Sequence, residues 1–253
     1  MIFAWDKDDQ ADTRATNIEA QREYARTLGE RLIGYGHIVS DDGTETLATT
    51  WFVQLDDRAA AEAFAAADPL SAAGVFDRID IRRWSNSFLK RAAEYQRKGL
   101  QQYFCTGSKI SDAGDFIAKH LHAHESYFET YEDSFVFRGP LRSEDGLLNV
   151  GTALMLELPG RAAAEDFWNN EPFAANGGYQ DDQPDHERSR RRGHSLFDGG
   201  FGGFGRRRLH RQQRIDGISR FTDPFRTRHW IGRRAEAGVV NGGAEVFKFS
   251  EIS

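Results

Sequence analysis

At 253 residues, with 39% apolar side chains, 19 Phe and 5 Trp, the chain is long enough to fill one or two packed cores. It has no run of about 18 apolar residues, which excludes a membrane-spanning helix. The lone Cys105 excludes a disulfide framework or a cysteine zinc site. The net charge of −6 divides unevenly: residues 184–253 hold 14 Arg and one Lys against four Asp and four Glu, so +7 sits there and −13 on 1–183. An acidic body argues against a nucleic-acid-binding core and leaves such binding to the basic tail alone.

In chain order, Ile2–Trp5 predicts a short strand, and its start lacks the basic region and apolar stretch of a signal peptide, so a cytoplasmic protein is expected. Asn17 to Tyr35 predicts a helix with Tyr24, Leu28 and Leu32 on one face, stopped by Gly34 and Gly36. His37–Val39 and Thr46–Leu55 predict strands. Arg58–Ala67 predicts an alanine-rich helix ended by Pro69, and Val75–Trp84 a last strand. The order β-α-β-β-α-β is that of a ferredoxin-like unit. Asn86–Lys98 is charged and helix-prone, a helical linker over 87–98.

The order then repeats. Gln102–Thr106 predicts a strand, Asp115–Glu132 a helix, Phe135–Phe137 a strand before a Gly139-Pro140 turn, Val150–Leu158 a strand and Arg161–Asn169 a helix. Arg58-Ala59-Ala60-Ala61-Glu62-Ala63-Phe64 is nearly copied as Arg161-Ala162-Ala163-Ala164-Glu165-Asp166-Phe167, at an offset of 103 residues. Asp68-Pro69 against Glu171-Pro172 and Gly74 against Gly177 keep that offset. A period of this size is that of a duplicated small domain, here 1–86 and 99–183. The second copy falters at its end: Gly178 to Glu187 has almost no apolar side chain and holds Pro184, which cannot donate to a sheet. Two alternatives follow for the Arg/Gly-rich tail, 184–253. Either Ala244–Phe249 completes the second sheet beside Tyr103, or the tail is disordered sequence, for instance from a reading-frame change.

These segments resemble the YCII-related family. The resemblance rests on His120-Leu121, on Gly139-Pro140-Leu141 and above all on Ala67-Asp68-Pro69-Leu70-Ser71-Ala72-Ala73-Gly74-Val75-Phe76, and covers about 1–85 and 99–180. It implies an α+β fold in which two ferredoxin-like domains pair as a dimeric α/β barrel, within one chain or as a homodimer. It also implies a His/Asp-centred cleft doing cofactor-independent lyase or isomerase chemistry, similar to members that dehydrochlorinate a chlorinated hydroxyhydroquinone. The substrate would be an aromatic or ring-cleavage catabolite.

The family dyad takes its His from the first helix and its acid from the Asp-Pro turn. The first copy offers Asp68, with Tyr24 or Ala25 read at the helix position. The second offers Glu171 with His120, His122 and His124. A carboxylate beside a histidine fixes its tautomer, and an imidazole titrating near about 6.5 moves protons at neutral pH. Family spacing points to His122. The apolar helix face of Phe116, Ile117, Leu121, Tyr127, Phe128 and Tyr131 instead contains His120 and His124, with His120 the first choice. Tyr127, Tyr131 and Phe137 would line an apolar pocket. His120, His124 and Glu171 are a weak metal pattern, so no metal is expected. The imperfect dyads also fit a non-catalytic ligand-binding or assembly module.

Overall fold

The computed structural model describes residues 1–110, 114–180, 238–240 and 244–251. The first half runs β1 (Ile2–Asp6), α1 (Ala11–Arg26), β2 (Leu32–Val39), β3 (Thr46–Val53), α2 (Arg58–Ala67), α3 (Pro69–Ala72), β4 (Phe76–Ile81) and β5 (Arg83–Trp84). The second runs β6 (Gln101–Lys109), α4 (Gly114–Glu129), β7 (Phe135–Arg142), β8 (Asn149–Leu158), α5 (Arg161–Asn170), α6 (Pro172–Ala175) and β9 (Tyr179–Gln180). Then come β10 (Gly238–Val240) and β11 (Ala244–Glu251). Strand orders β4-β1-β3-β2 and β11-β6-β8-β7 are both ferredoxin-like, so the fold is α+β. No helix among the described residues is long and apolar enough to cross a membrane.

Both halves contribute to one eleven-stranded antiparallel sheet, joined where β11 lies between β6 and β2 and where β5 pairs with β7. The sheet is not closed: its path ends at β4 and at β5, strands consecutive in the chain with Arg82 between them. One face carries a core shared by the halves, built from Phe3, Ile38, Phe52, Phe104, Phe137, Met155, Phe247 and Phe249 among others. The other face carries two cores, each packed under its own half's helices: Trp51 and Phe64 in the first, Phe167 and Trp168 in the second.

The 103-residue offset holds at the level of hydrogen bonds. Lys7 N donates to Val75 O, and Ile110 N donates to Gly178 O. Trp84 lies opposite Leu141, and Phe249 opposite Ile38. Each crossing strand passes over a glycine. A Cβ at Gly139 would sit 1.7 Å from Ser85 O, and one at Gly36 2.7 Å from Ser250 O. That close approach places Gly139-Pro140-Leu141 inside β7 rather than in the expected turn.

The second half's last strand is split. Gln180 is opposite Ser108 and Ala244 is opposite Gly107, so β9 and β11 occupy consecutive positions along β6 although residues 181–243 intervene. Lys248 lies opposite Tyr103. Residues Met1–Asp182 with Arg233–Ser253 form one unit; the other, Gln183–Gly232, falls outside the described residues, and with it most of the Arg/Gly-rich tail.

Two local expectations are corrected. The first helix ends at Arg26, because Gly29 takes a positive φ of 53° and Leu32 to Val39 extend as β2, with Tyr35 stacked on Trp51 at 3.9 Å. The segment 87–98 is not a helix but holds one 3-10 turn, Ala92–Glu94. It is tied down by the buried Glu157 carboxylate, which accepts from Lys98 N and Leu100 N.

Candidate functional site

In the second half an acid and a histidine are brought together by two short-range rules. Pro172 starts α6, and the residue before it, Glu171, caps that helix: its carboxylate accepts from Phe173 N at 3.0 Å and Ala174 N at 2.9 Å. The capping geometry turns the carboxylate inward, where it is fully buried, and toward α4. There His124 Nδ1 lies 2.5 Å from Glu171 Oε1. The carboxylate accepts, so Nδ1 is the donor, and the Nε2 lone pair has no partner among the described residues. The imidazole stacks on Phe173 at 4.3 Å and 4° and lies 4.2 Å from Phe128, with its side chain 16% exposed. Such a ring is fixed in orientation and still reachable. Across from Lys109 in the sheet, Tyr179 is buried beside Trp168, and burial first, then the Glu171 charge, raises its phenol well above the ordinary range.

The other named residues fall as follows. His120 is one turn before His124, half-buried against Phe116 at 4.7 Å, and forms no ion pair with a carboxylate among the described residues. His122 is exposed. Tyr127 gives its hydroxyl to Phe167 O and packs with Tyr131 under the helices. Phe137 is on the opposite face of the sheet, in the core shared by the halves, so these three aromatics do not line one pocket. Cys105 is fully buried and its thiol is pushed up by that burial, the state of an inert packing residue. No group of three or more His, Cys, Asp or Glu among the described residues is placed to hold a metal.

In the first half the same frame carries different chemistry. The residue at the His124 position is Gln21, not Tyr24 or Ala25. Its Nε2 donates to both oxygens of Asp68 at 2.9 Å. Asp68 also caps α3 through Leu70 N and accepts from Trp51 Nε1 at 3.0 Å. Tyr35 donates to Gln21 Oε1 at 2.8 Å, which fixes the amide orientation. Arg14 forms a two-pronged pair with Asp6 at 2.7 and 2.5 Å, donates to Thr49 Oγ1, and lies 3.0 Å from His37 Nε2. Burial, then the charges of Arg14 and Arg22, lower His37 to about 3, so it is neutral and accepts from Arg14. Burial raises Asp68 and Asp6, opposed by their hydrogen bonds. Asp6, at the end of β1, carries no pattern in the sequence that marks it for this network. The 103-residue offset applied to the helix would have found Gln21; nothing local marks His37 or Arg14.

The description "YCII-related domain" matches residues 1–85. Among curated proteins nothing matches the chain. Among solved structures, the chain is similar to 5-chloro-2-hydroxyhydroquinone dehydrochlorinase from Burkholderia phenoliruptrix AC1100, crystallised with 2,5-dihydroxybenzoquinone. The identity is 20% over 36% of this chain and 99% of that one, with a TM-score of 0.31. It is also similar to a candidate monooxygenase from Lactobacillus acidophilus NCFM (8% identity, 70% of this chain and 87% of that one, TM-score 0.45). A third is a candidate monooxygenase from Fusobacterium nucleatum (7%, 69% and 82%, 0.42).

Proposed function

We propose, from the premise that residues 1–85 are a YCII-related domain, that the chain is a small-molecule lyase or isomerase, independent of cofactors, whose acid–base pair is His124 and Glu171. The observation that supports this reading is the 2.5 Å contact between His124 Nδ1 and a carboxylate fixed by two backbone N–H groups. In the reaction, Nε2 takes a proton from a carbon beside a carbonyl of the substrate. The electron pair left behind forms a double bond as chloride leaves the neighbouring carbon, or as a hydroxyl leaves as water by taking the imidazolium's proton, which completes that branch. The imidazolium, held by Glu171, then gives its proton to solvent, or to a different carbon in an isomerisation.

The test is chloride release from 5-chloro-2-hydroxyhydroquinone and proton exchange on a panel of ring-cleavage lactones. His124→Gln places in the second half the residue that the first half already carries. It is expected to lower turnover by roughly 10²–10⁴ while the fold persists. Undiminished turnover in that variant would falsify the assignment. A second reading, a ligand-binding or assembly module without chemistry, is favoured by the Gln21–Asp68 pair, which cannot transfer a proton. It predicts ligand binding insensitive to pH between about 5.5 and 7.5, where a working histidine titrates.

A further inference from the structure

We propose that Lys109 is the anion-binding group of the second half, so that the His124–Glu171 pair serves a substrate bearing a carboxylate or an ionised ring hydroxyl. This rests on the acid–base reading above and names the substrate class of the same site.

The two halves differ here by an exchange of charge. At the 103-residue offset Lys109 occupies the place of Asp6, and Ile117 the place of Arg14. In the first half Asp6 and Arg14 neutralise each other, with side chains only 8% and 7% exposed. In the second half the acid has become an ammonium and its guanidinium partner an apolar side chain. A self-contained ion pair is thus replaced by a single cation. Lys109 is half-buried at the end of β6, and its ammonium makes no hydrogen bond or ion pair among the described residues. Its Nζ lies 5.3 Å over the Phe173 ring, the ring on which His124 stacks at 4.3 Å. Phe173 therefore touches both the acid–base residue and the cation.

Glu171 acts on the ammonium through its charge but makes no ion pair with it among the described residues. Its oxygens are taken by His124, Phe173 N and Ala174 N. Burial lowers the Lys109 ammonium, with the Glu171 charge acting the other way. A partly desolvated ammonium without a hydrogen-bonded partner is costly, and an anionic group of a ligand supplies both the charge and the acceptor. Phe173 is itself buried, so the apolar surface open to a ligand beside the ammonium comes from the half-buried Phe116 and His124 rings that pack against it.

The experiment is calorimetric titration of the full chain with 2,5-dihydroxybenzoate and with its neutral amide. The wild type is expected to bind the acid at least about tenfold more tightly than the amide, given the strength of charge-assisted hydrogen bonds. Lys109→Gln is expected to erase that preference, and Lys109→Arg to keep it, which separates loss of charge from loss of fold. Equal affinity for acid and amide in the wild type would overturn the proposal. So would no binding of either at millimolar concentration, or a preference that survives Lys109→Gln. Binding is read without turnover, so the result stands apart from the His124→Gln test. Activity retained in His124→Gln defeats the acid–base reading alone, and an acid preference retained in Lys109→Gln defeats this one alone.

Discussion

The first-half and second-half sites share a frame and differ in what they leave unfilled. In both, a helix residue donates to a carboxylate that caps a short helix after a proline: Gln21 to Asp68, His124 to Glu171. In the first half every strong group then finds another. Asp68 has four donated hydrogen bonds, and Arg14 joins Asp6, Thr49 and His37. The longer acid of the second half instead meets a histidine with a free nitrogen, and the Asp6–Arg14 pair has no counterpart. A saturated polar network specifies structure. An unsaturated one leaves groups for a ligand.

The sharpest way to break this contrast is to unsaturate the first half. Arg14→Met removes the cation from the buried Asp6 and leaves His37 and Thr49 without a donor. The expected loss is about 3–5 kcal/mol of unfolding free energy at neutral pH. It shrinks at acid pH, where Asp6 takes a proton in place of its partner. Urea unfolding at two pH values checks this. A loss below about 1 kcal/mol at neutral pH would show that the network is not holding the first half together.

How much of this was legible follows from the range of each interaction. The repeat, the ferredoxin-like order and the pairing of an acid-proline turn with an α4 histidine are local or periodic, and the residues carry them openly. Choosing between His120 and His124 was not local. Both lie on the same face one turn apart, and only the inward turn of the Glu171 cap selects His124. Gln21 has no local mark, because the helix position reads as Tyr24 or Ala25 and it is hydrogen bonds to the distant Asp68 that single out Gln21. The network of Asp6, Arg14, His37 and Thr49 joins β1, α1, β2 and β3, and no spacing in the sequence signals it. β11 is a mixed case: Ala244–Phe249 reads as a strand, and of the two alternatives the one that sets it beside Tyr103 agrees with the pairing to β6, whereas its pairing with β2 on the other side has no signal in the sequence.

A smaller effect is expected from His37→Gln. The folded state holds His37 near about 3, whereas an unfolded histidine titrates near about 6.5. Between these values the unfolded chain binds a proton that the folded chain does not, so His37 costs stability progressively as pH falls through that window. The raised Asp6 and Asp68 act oppositely, because they take protons in the folded state first. The informative quantity is therefore the difference between wild type and variant. It should be nearly constant above about pH 6.5 and should move in favour of the variant by up to a few kcal/mol on acidification toward pH 3. A pH-independent difference would mean that His37 takes up a proton in the folded protein as readily as in the unfolded chain, and the account of its acceptance from Arg14 would fall.

The smallest expected difference tests the shared frame itself. Tyr24 donates to Phe64 O in the first half at 3.0 Å, and Tyr127 donates to Phe167 O in the second at 2.8 Å, at the same 103-residue offset. Tyr24→Phe and Tyr127→Phe each remove one side-chain hydrogen bond from the first helix of a half to the helix beside it. Each should cost about 0.5–1.5 kcal/mol, and the two should agree within about 0.5 kcal/mol if both hydroxyls serve only the frame. A catalytic assay then adds what stability cannot. If Tyr127 also lines the substrate site, Tyr127→Phe raises KM while Tyr24→Phe leaves it unchanged. If the phenol only ties α4 to α5, neither variant moves KM, and the second half's specificity has to reside nearer Phe173, where His124 and Lys109 meet one ring.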